Sequence, residues 1–229
     1  MKISDKTVSI LKNFSTINQN SLIKEGSKLR TMSTMKNILA EADVSEAFPA
    51  DFGIYDLNEF LGVLTLAKDA DLNFDNQSFL TANNGPTRIK YMYSDPSILT
   101  VPPETFNAPE TDIQFSMPQA QLADVLKASA VMQLPDIVIS SDGNPGVRIT
   151  ATDLKNTSSN NYEQVLDIDR QPFECRFKNE NLKMISGDYD VNISTEAGVS
   201  QWVGADVSYW IAMEAKTDGW DWRIYSQLY

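Results

Sequence analysis

The chain has 229 residues, of which 42% are hydrophobic and 22% charged, a composition typical of a soluble globular protein. Its 19 basic and 31 acidic side chains give a net charge of -12, which argues against nucleic-acid binding through broad phosphate neutralisation. The sequence contains no histidine, so we expect neither zinc sites nor Ser-His-Asp or Cys-His catalysis.

Cysteine content and the N-terminal sequence bear on the compartment. The single cysteine, Cys175, cannot form an intramolecular disulfide, which favours a reducing, cytosolic setting. Residues 1–14 lack the apolar core of a signal peptide, and no apolar run approaches the roughly 18 residues of a membrane span. We therefore expect an intracellular protein with no membrane partner.

The first half of the chain predicts an α+β unit. After "KIS" (2–4), whose serine can cap a helix, apolar side chains recur at helical spacing and leave Lys12 on the opposite face. Residues 21–33 predict two strands around a glycine turn, and residues 56–67 predict a second helix that leads into the strand "DADLNF". The polar face of this second helix carries only small or singly charged side chains, namely Asn58, Glu59, Gly62 and Thr65.

A proline-containing stretch, 97–112, follows and predicts an extended linker. The same order of elements then recurs. "QFS" (114–116), whose serine can also cap a helix, precedes a helix whose apolar stripe leaves Lys127 at the wheel position of Lys12. Residues 136–152 predict strand, turn and strand. A short helix near 179–185, with Lys183 turned outward, leads into "DYDVNI".

The matching segments keep one order and are separated by about 112 to 119 residues. The sequence therefore predicts an α+β fold built from two tandem copies of one unit, with strands dominating. Each unit has the order strand, helix, several strands, a second short helix and more strands, and the segments 2–4 and 114–116 end the first strands. We place the domains at 1–105 and 106–229.

The tryptophans all lie in the last 28 residues, at positions 202, 210, 220 and 222. The segment predicts a terminal hairpin around a turn at 216–219. Its indoles can either pack on the second domain or act as anchors at an interface with a partner.

Three other functions match the sequence in part. Asp69, Asp71 and Asn73 have calcium-ligand spacing, but Phe74 and Leu80 stand where a calcium loop needs glycine and glutamate. A magnesium-dependent enzyme using paired carboxylates such as those at 188 and 190 is a second possibility, although alternating aspartates at a strand start are usually solvated. The main alternative is a non-catalytic protein-binding or structural virion module.

Three segments carry a family resemblance: "LKNFSTIN" (11–18), "IYDLNEFLGVLTL" (54–66) and "NLKMISGDYDV" (181–191). In this order and spacing they resemble the DNA polymerase sliding clamp of T-even-type bacteriophages. The resemblance implies a ring of three subunits with two clamp domains each, antiparallel sheets outside and helices lining a hole around duplex DNA. It also implies a protein that is not an enzyme and needs no cofactor or metal.

The resemblance further implies partners and sites. The expected partners are encircled double-stranded DNA, the replicative DNA polymerase and an ATP-driven clamp loader, with support of late transcription, in the cytoplasm of an infected bacterial host cell. The best DNA-facing candidates are Lys12, Lys127 and Lys183, with Lys6, Lys68 and Lys178 behind them. Weaker candidates for partner binding are Phe106, Tyr225, Leu228 and Tyr229, although the stretch beyond Ala215 departs from the family pattern.

Overall fold

The computed structural model describes residues 1–156 and 158–215. The chain divides into two units, one of Met1–Pro103 with Asp206–Ser208, and one of Glu104–Ala205 with the chain from Tyr209 onward. The division after Pro103 lies two residues before the boundary that we placed after residue 105. The second half of the expected terminal hairpin lies outside the described residues, so it stays a prediction.

The first unit contains two α-helices, seven strands and a 3-10 turn among its described residues. In chain order these are α1 (Asp5–Ile17), β1 (Ser21–Ile23), β2 (Gly26–Met32), β3 (Ile38–Phe48), β4 (Phe52–Ile54), α2 (Leu57–Leu66), β5 (Asp71–Asn73), β6 (Phe79–Asn84), β7 (Thr87–Met92) and the turn Pro96–Ile98. The helix predicted at 56–67 is thus confirmed, with the Asp56 carboxylate capping it by accepting from the N–H groups of Asn58 and Glu59.

Strand pairing in the first unit is antiparallel throughout. β2 pairs with β3, β6 lies between β5 and β7, and β1 pairs with β4. The two strands at 21–33 are therefore present but do not form a hairpin with each other. Residues 2–4 are not a strand, although the backbone groups of Met1 exchange hydrogen bonds with those of Leu72.

The start of α1 is fixed by a buried carboxylate from β3. Ser4 is the N-cap as expected, and its Oγ accepts from the Thr7 N–H at 3.3 Å. Glu46, which is 8% exposed, accepts from the Ser4 N–H at 2.5 Å and from the Thr7 hydroxyl at 2.6 Å. Burial alone would raise the pKa of Glu46, but these hydrogen bonds outweigh it and lower the pKa to about 2.

The Glu46→Gln variant should unfold more easily at neutral pH, by about 1–3 kcal/mol, because a buried charge-assisted acceptor is lost. The pKa of the carboxyl is lower in the folded chain than its usual 4.5, so its contribution is complete above pH 4.5 and is lost as the pH falls towards 2. Urea unfolding at several pH values measures both effects. The exposed Glu110→Gln control should unfold like the wild type, and a Glu46→Gln deficit that persists at pH 2 would contradict the assignment.

The second unit contains one α-helix and eight strands among its described residues. They are β8 (Ile113–Met117), α3 (Gln119–Met132), β9 (Asp136–Ser141), β10 (Val147–Thr152), β11 (Tyr162–Leu166), β12 (Phe173–Lys178), the 3-10 turn Asn179–Asn181, β13 (Tyr189–Ser194), β14 (Val199–Val203) and β15 (Val207–Ala212), whose first two residues cluster with the first unit.

Two sheets form this unit. One has the strand order β11-β10-β9-β12, and its β9–β10 pair is the hairpin predicted at 136–152. In the other, β13 lies between β8 and β14, and β14 lies beside β15. Alternate residues of β10 and β15 are buried, as expected for strands with one face on a core. Trp202, Tyr209 and Phe177 are among the largest fully buried side chains of the core.

The start of α3 differs from the prediction. Ser116 does not cap the helix, because it lies within β8 and donates its hydroxyl to Asp190 at 2.8 Å. Pro118 is the N-cap residue and offers no side-chain acceptor. The Asp188 carboxylate fills that role instead, accepting from the Gln119 N–H at 2.7 Å across 69 positions of sequence.

The prediction of a helix near 179–185 is wrong beyond the first turn. Only Asn179–Asn181 form a 3-10 turn, and residues 182–188 continue as a loop. Two tyrosine hydroxyls form hydrogen bonds with the backbone groups of Ile185, which in a helix would bond to other backbone groups. Tyr209 accepts from the Ile185 N–H at 3.1 Å, and Tyr189 donates to the Ile185 carbonyl. These contacts stabilise the loop in place of a helical hydrogen-bond ladder.

Candidate nucleic-acid interface and partner site

Helix α1 presents its lysine on a narrow solvent-facing stripe. The side chains predicted to be buried, Ile10, Leu11, Phe14 and Ile17, are all less than 9% exposed. The opposite stripe is exposed and consists of Ser9, Lys12 and Thr16. Lys12 makes no ion pair with any residue in the described part of the chain, so its charge is available to an external anion.

Helix α3 presents the second lysine on a surface of small side chains. Leu122 and Val125 are buried, and Ser129 is buried with its hydroxyl donating to the Leu134 carbonyl at 2.6 Å. Lys127 is exposed and makes no ion pair within residues 1–156 and 158–215. Its exposed neighbours on the helix are Ala120, Ala123, Asp124 and Ala130. Asp124, one turn before Lys127, is an acidic neighbour that the spacing of the apolar residues does not predict.

The remaining lysine candidates lie outside helical faces or are paired. Lys183 is exposed in the loop after the 3-10 turn, and Lys68 is exposed in the turn after α2. Lys6 contacts Asp206 at 2.5 Å, with the lysine side chain 60% exposed.

Lys178 pairs with a buried carboxylate. Its ammonium group lies 2.5 Å from the Asp136 carboxylate, whose side chain is only 2% exposed. That hydrogen bond raises the pKa of Lys178. Asp136 also accepts from the Leu154 N–H at 2.9 Å, so Lys178 helps to neutralise a buried structural carboxylate.

The partner-binding candidates are only partly covered by the structure. Phe106, in the linker, packs edge-on against Trp210 of β15, with ring centroids 5.2 Å apart. The indole Nε1 of Trp210 is buried without a hydrogen-bond partner among the described residues. Tyr225, Leu228 and Tyr229 lie outside the described residues, as do Trp220 and Trp222.

Carboxylates at metal-ligand spacing have other contacts in the structure. Asp188 caps α3, and Asp190 accepts from Ser116. Asn73 donates to Asp75 at 2.6 Å in a local turn. Across residues 1–156 and 158–215, no three Asp, Glu, Cys or His side chains gather as a metal-ligand group would. Among the helices of the same residues, none has the length and apolarity that a bilayer crossing requires.

Open strand edges form a second set of surfaces that the sequence did not identify. β7 ends the three-stranded sheet β5-β6-β7 of the first unit, and four of its side chains are exposed: Thr87, Arg88, Lys90 and Met92. β11 ends the four-stranded sheet β11-β10-β9-β12 of the second unit, and its exposed side chains are Glu163 and Val165. Unpaired backbone groups at such edges are templates for another strand.

Comparison with known proteins identifies the family. A family model described as DNA polymerase processivity factor matches residues 2–99, and one described as gp45 sliding clamp, C terminal, matches residues 114–215. The sliding clamp of Vibrio phage KVP40 is 35% identical over 222 residues, covering 94% of this chain and 100% of the relative. That of Enterobacteria phage T4 is 26% identical over 222 residues, covering 94% and 97%.

A solved structure has the same architecture. A. fulgidus PCNA, determined with the C-terminal region of FEN-1 bound, matches with a TM-score of 0.68 at 14% identity, covering 92% of this chain and 96% of that chain. The expected α+β fold with two tandem clamp domains is thereby confirmed. The chain belongs to the sliding-clamp family of T4-type bacteriophages, the DNA polymerase processivity factors.

Proposed function

We propose that three copies of this chain form a ring around double-stranded DNA and tether the replicative DNA polymerase to its template. The strongest support is that sliding-clamp family models match both units, each of which presents a lysine on the exposed face of its first helix. The ring has no catalytic activity of its own. An ATP-dependent clamp loader places it on DNA in the cytoplasm of the infected bacterial host, and the loaded ring also supports late transcription.

The DNA-facing surface in this proposal consists of weakly attracting helices. Lys12 and Lys127 are its main phosphate contacts, and Lys183 and Lys68 are further exposed candidates. Lys6 and Lys178 contribute less, because a carboxylate already balances each of them. A few lysines acting across water over about 8–10 Å attract the phosphate backbone without fixing the ring to one position.

Ring closure in this proposal joins β7 of one subunit to β11 of the next. Each strand ends its sheet, so pairing them satisfies backbone groups that are otherwise open. Met92 on β7 is 57% exposed and Val165 on β11 is 53% exposed, and burying such side chains favours association.

Charge and neighbouring helices support the same pairing. β7 carries Arg88 and Lys90, whereas β11 carries Glu163 and is followed by two exposed aspartates, 167 and 169. Helix α2 packs on β7 through Phe60 and Tyr91, and its last residue, Leu66, is 78% exposed. Helix α3 packs on β11, and Val131 in its last turn is 75% exposed. Both edges thus have an exposed apolar residue on the adjacent helix.

The partner site in this proposal includes Phe106, Tyr225, Leu228 and Tyr229. The contact of Phe106 with Trp210 supports an aromatic surface in the linker region, and aromatic side chains are effective anchors for peptides. The polymerase is the expected occupant.

Retention on circular DNA tests the proposed function directly. When a clamp loader, ATP and nicked circular DNA are supplied, the protein should co-elute with the DNA through gel filtration, and a restriction cut should release it, because only topology holds it. Blocking both ends of the linear product with a tightly bound protein should restore retention.

Two results would contradict the proposal. Persistence on unblocked linear DNA would indicate an ordinary DNA-binding protein. Absence from the circle under all loading conditions would favour a protein-binding or virion module.

A further inference from the structure

The loop 182–188 forms neither helix nor strand, yet side chains of the core hold it in place. Tyr209 on β15 accepts from the Ile185 N–H at 3.1 Å, and Tyr189 on β13 donates to the Ile185 carbonyl. Both backbone polar groups of Ile185 are therefore paired. Because a buried hydroxyl that loses its partner is costly, these two contacts oppose opening of the loop.

The two tyrosine hydroxyls keep their protons well above neutral pH. Tyr209 is fully buried and Tyr189 is 4% exposed, with their ring centroids 6.1 Å apart. Burial raises the pKa of Tyr209 to about 12, and burial next to Tyr209 also raises the pKa of Tyr189. The pair therefore anchors Ile185 throughout the physiological pH range.

The end of the loop is attached to helix α3. Gln119, at the start of α3, donates its side-chain amide to the Ser186 hydroxyl at 2.9 Å and its backbone N–H to the Asp188 carboxylate at 2.7 Å. The carboxylate also lies at the positive end of the helix dipole, which favours this contact. The loop and the start of α3 are thus joined at two points.

Lys183 lies between two fixed residues of the loop. Leu182, just before it, is 5% exposed, and its N–H donates to the Asn179 carbonyl at 3.1 Å. Ile185, two positions after it, is held by the tyrosines. The backbone at Lys183 therefore has little conformational freedom, while its side chain is exposed.

The same contacts keep Lys183 near the lysine of α3. Lys183 comes three residues before Ser186, so its Cα lies within about 11 Å of that residue. Lys127 comes eight residues after Gln119, which is about 12 Å along the helix, and both side chains are exposed. These lengths are close to the screening length of about 8–10 Å, so one stretch of phosphates can interact with both charges.

We propose that the anchors of the loop are positioning residues, which hold Lys183 beside Lys127 on one phosphate-facing surface. The anchors are Tyr189, Tyr209 and Gln119. This inference rests on the proposed function, in which both lysines face DNA. The anchored loop then replaces a lining helix, because its backbone is fixed and only the lysine side chain adjusts. A lysine on a mobile loop would lose more conformational entropy at each contact and would attract the duplex less.

Hydrogen exchange tests the anchoring without DNA. Tyr209→Phe removes one hydroxyl and keeps the buried ring, so amides of 182–188 should exchange at least about fivefold faster. Tyr93→Phe, which removes a hydroxyl from a half-buried tyrosine of the first unit, should leave exchange in the loop unchanged. Equal exchange of the loop in the wild type and in Tyr209→Phe would overturn the proposal.

Coupling to Lys183 tests the positioning role. With loader, polymerase and a long primed template at physiological salt, Lys183→Gln should shorten the products at least about twofold, because one phosphate attraction is lost. In the Tyr209→Phe background the same change should have almost no further effect, since Lys183 is already misplaced. A residue that only stabilises the fold would act independently of Lys183. An equal loss in both backgrounds, or no loss in the wild type, therefore refutes positioning.

Two variants of an exposed residue test the contact with α3 at little risk to folding. Ser186→Thr keeps the hydroxyl that accepts from Gln119, whereas Ser186→Val has nearly the same shape and removes it. Ser186→Thr should match the wild type. Ser186→Val should exchange faster in the loop and should weaken the effect of Lys183→Gln. Identical behaviour of the two variants would contradict the role of Gln119.

Failure of the proposed function has a different result. In that case the wild-type protein itself would not remain on circular DNA after loading. Failure of the positioning role leaves wild-type retention intact and changes only the comparisons between variants.

Discussion

Replacing Arg88 and Lys90 by glutamate should dissociate the proposed trimer. These side chains extend from the open edge β7, and the proposed partner edge β11 carries Glu163 with two aspartates just beyond it. Charge reversal turns attraction into repulsion at two positions of one strand pair. We expect a loss of about 1–3 kcal/mol per interface, which raises the dissociation constant about 5- to 150-fold. Mass photometry across a dilution series measures the shift towards monomer.

Compensation identifies the partner edge. Adding Glu163→Lys and Asp167→Lys to the reversed β7 should restore assembly, because the opposite charges again face each other. Reversal of Lys24 and Lys36, exposed lysines in the same unit but off β7, removes the same net charge and should leave assembly unchanged. An unaltered trimer in the Arg88→Glu, Lys90→Glu variant would show that β7 does not form the interface.

The triple variant Lys12→Glu, Lys127→Glu, Lys183→Glu should be loaded onto DNA less often than the wild type. The polymerase that it tethers should make shorter products before it dissociates. Each lysine near a polyanion contributes on the order of 1 kcal/mol, and reversal adds repulsion, so loaded rings per circle and mean extension length should each fall at least about tenfold at physiological salt. The Gln versions, which remove attraction without adding repulsion, should fall in between. Primer extension on a long template with loader and polymerase measures the effect.

A matched control variant shows whether the effect depends on where the lysines lie or only on the change in net charge. The variant Lys24→Glu, Lys36→Glu, Lys155→Glu removes the same charge from exposed positions off the helical faces, and it should retain most activity. Unfolding curves should show that both variants keep wild-type stability, because all six side chains are exposed. Normal processivity in the helix variant would mean that other residues line the hole.

Local sequence patterns predicted the parts of the fold that local forces determine. The apolar stripe from Ile10 to Ile17 predicts α1, and the structure has this helix. The helical periodicity predicts that Lys127 lies on the exposed face of α3, and the glycine turn between β9 and β10 predicts their hairpin, and both are present. In each case the pattern repeats with the period of the element, so a few residues suffice.

Contacts between distant residues account for the errors. Asp188 caps α3 from 69 positions away, and the Tyr209 hydroxyl holds Ile185 in a loop from 24 positions away. The pairing of Lys178 with buried Asp136 was missed for the same reason. The sequence also did not show that β7 is an edge strand, because an edge is defined by strand pairing across the whole sheet.

The carboxylates at the helix starts affect how the proposed ring would hold DNA. A helix N-terminus is a natural seat for phosphate, since its N–H groups and dipole both favour an anion. In this chain a carboxylate already lies at the start of all three described α-helices: Glu46 at α1, Asp56 at α2 and Asp188 at α3. These carboxylates occupy N–H donors at the helix starts and repel an anion, so the helix starts are poor phosphate-binding sites. In the proposed ring, exposed lysines such as Lys12 and Lys127 then provide the attraction, and the duplex can rotate and advance without binding at one fixed position.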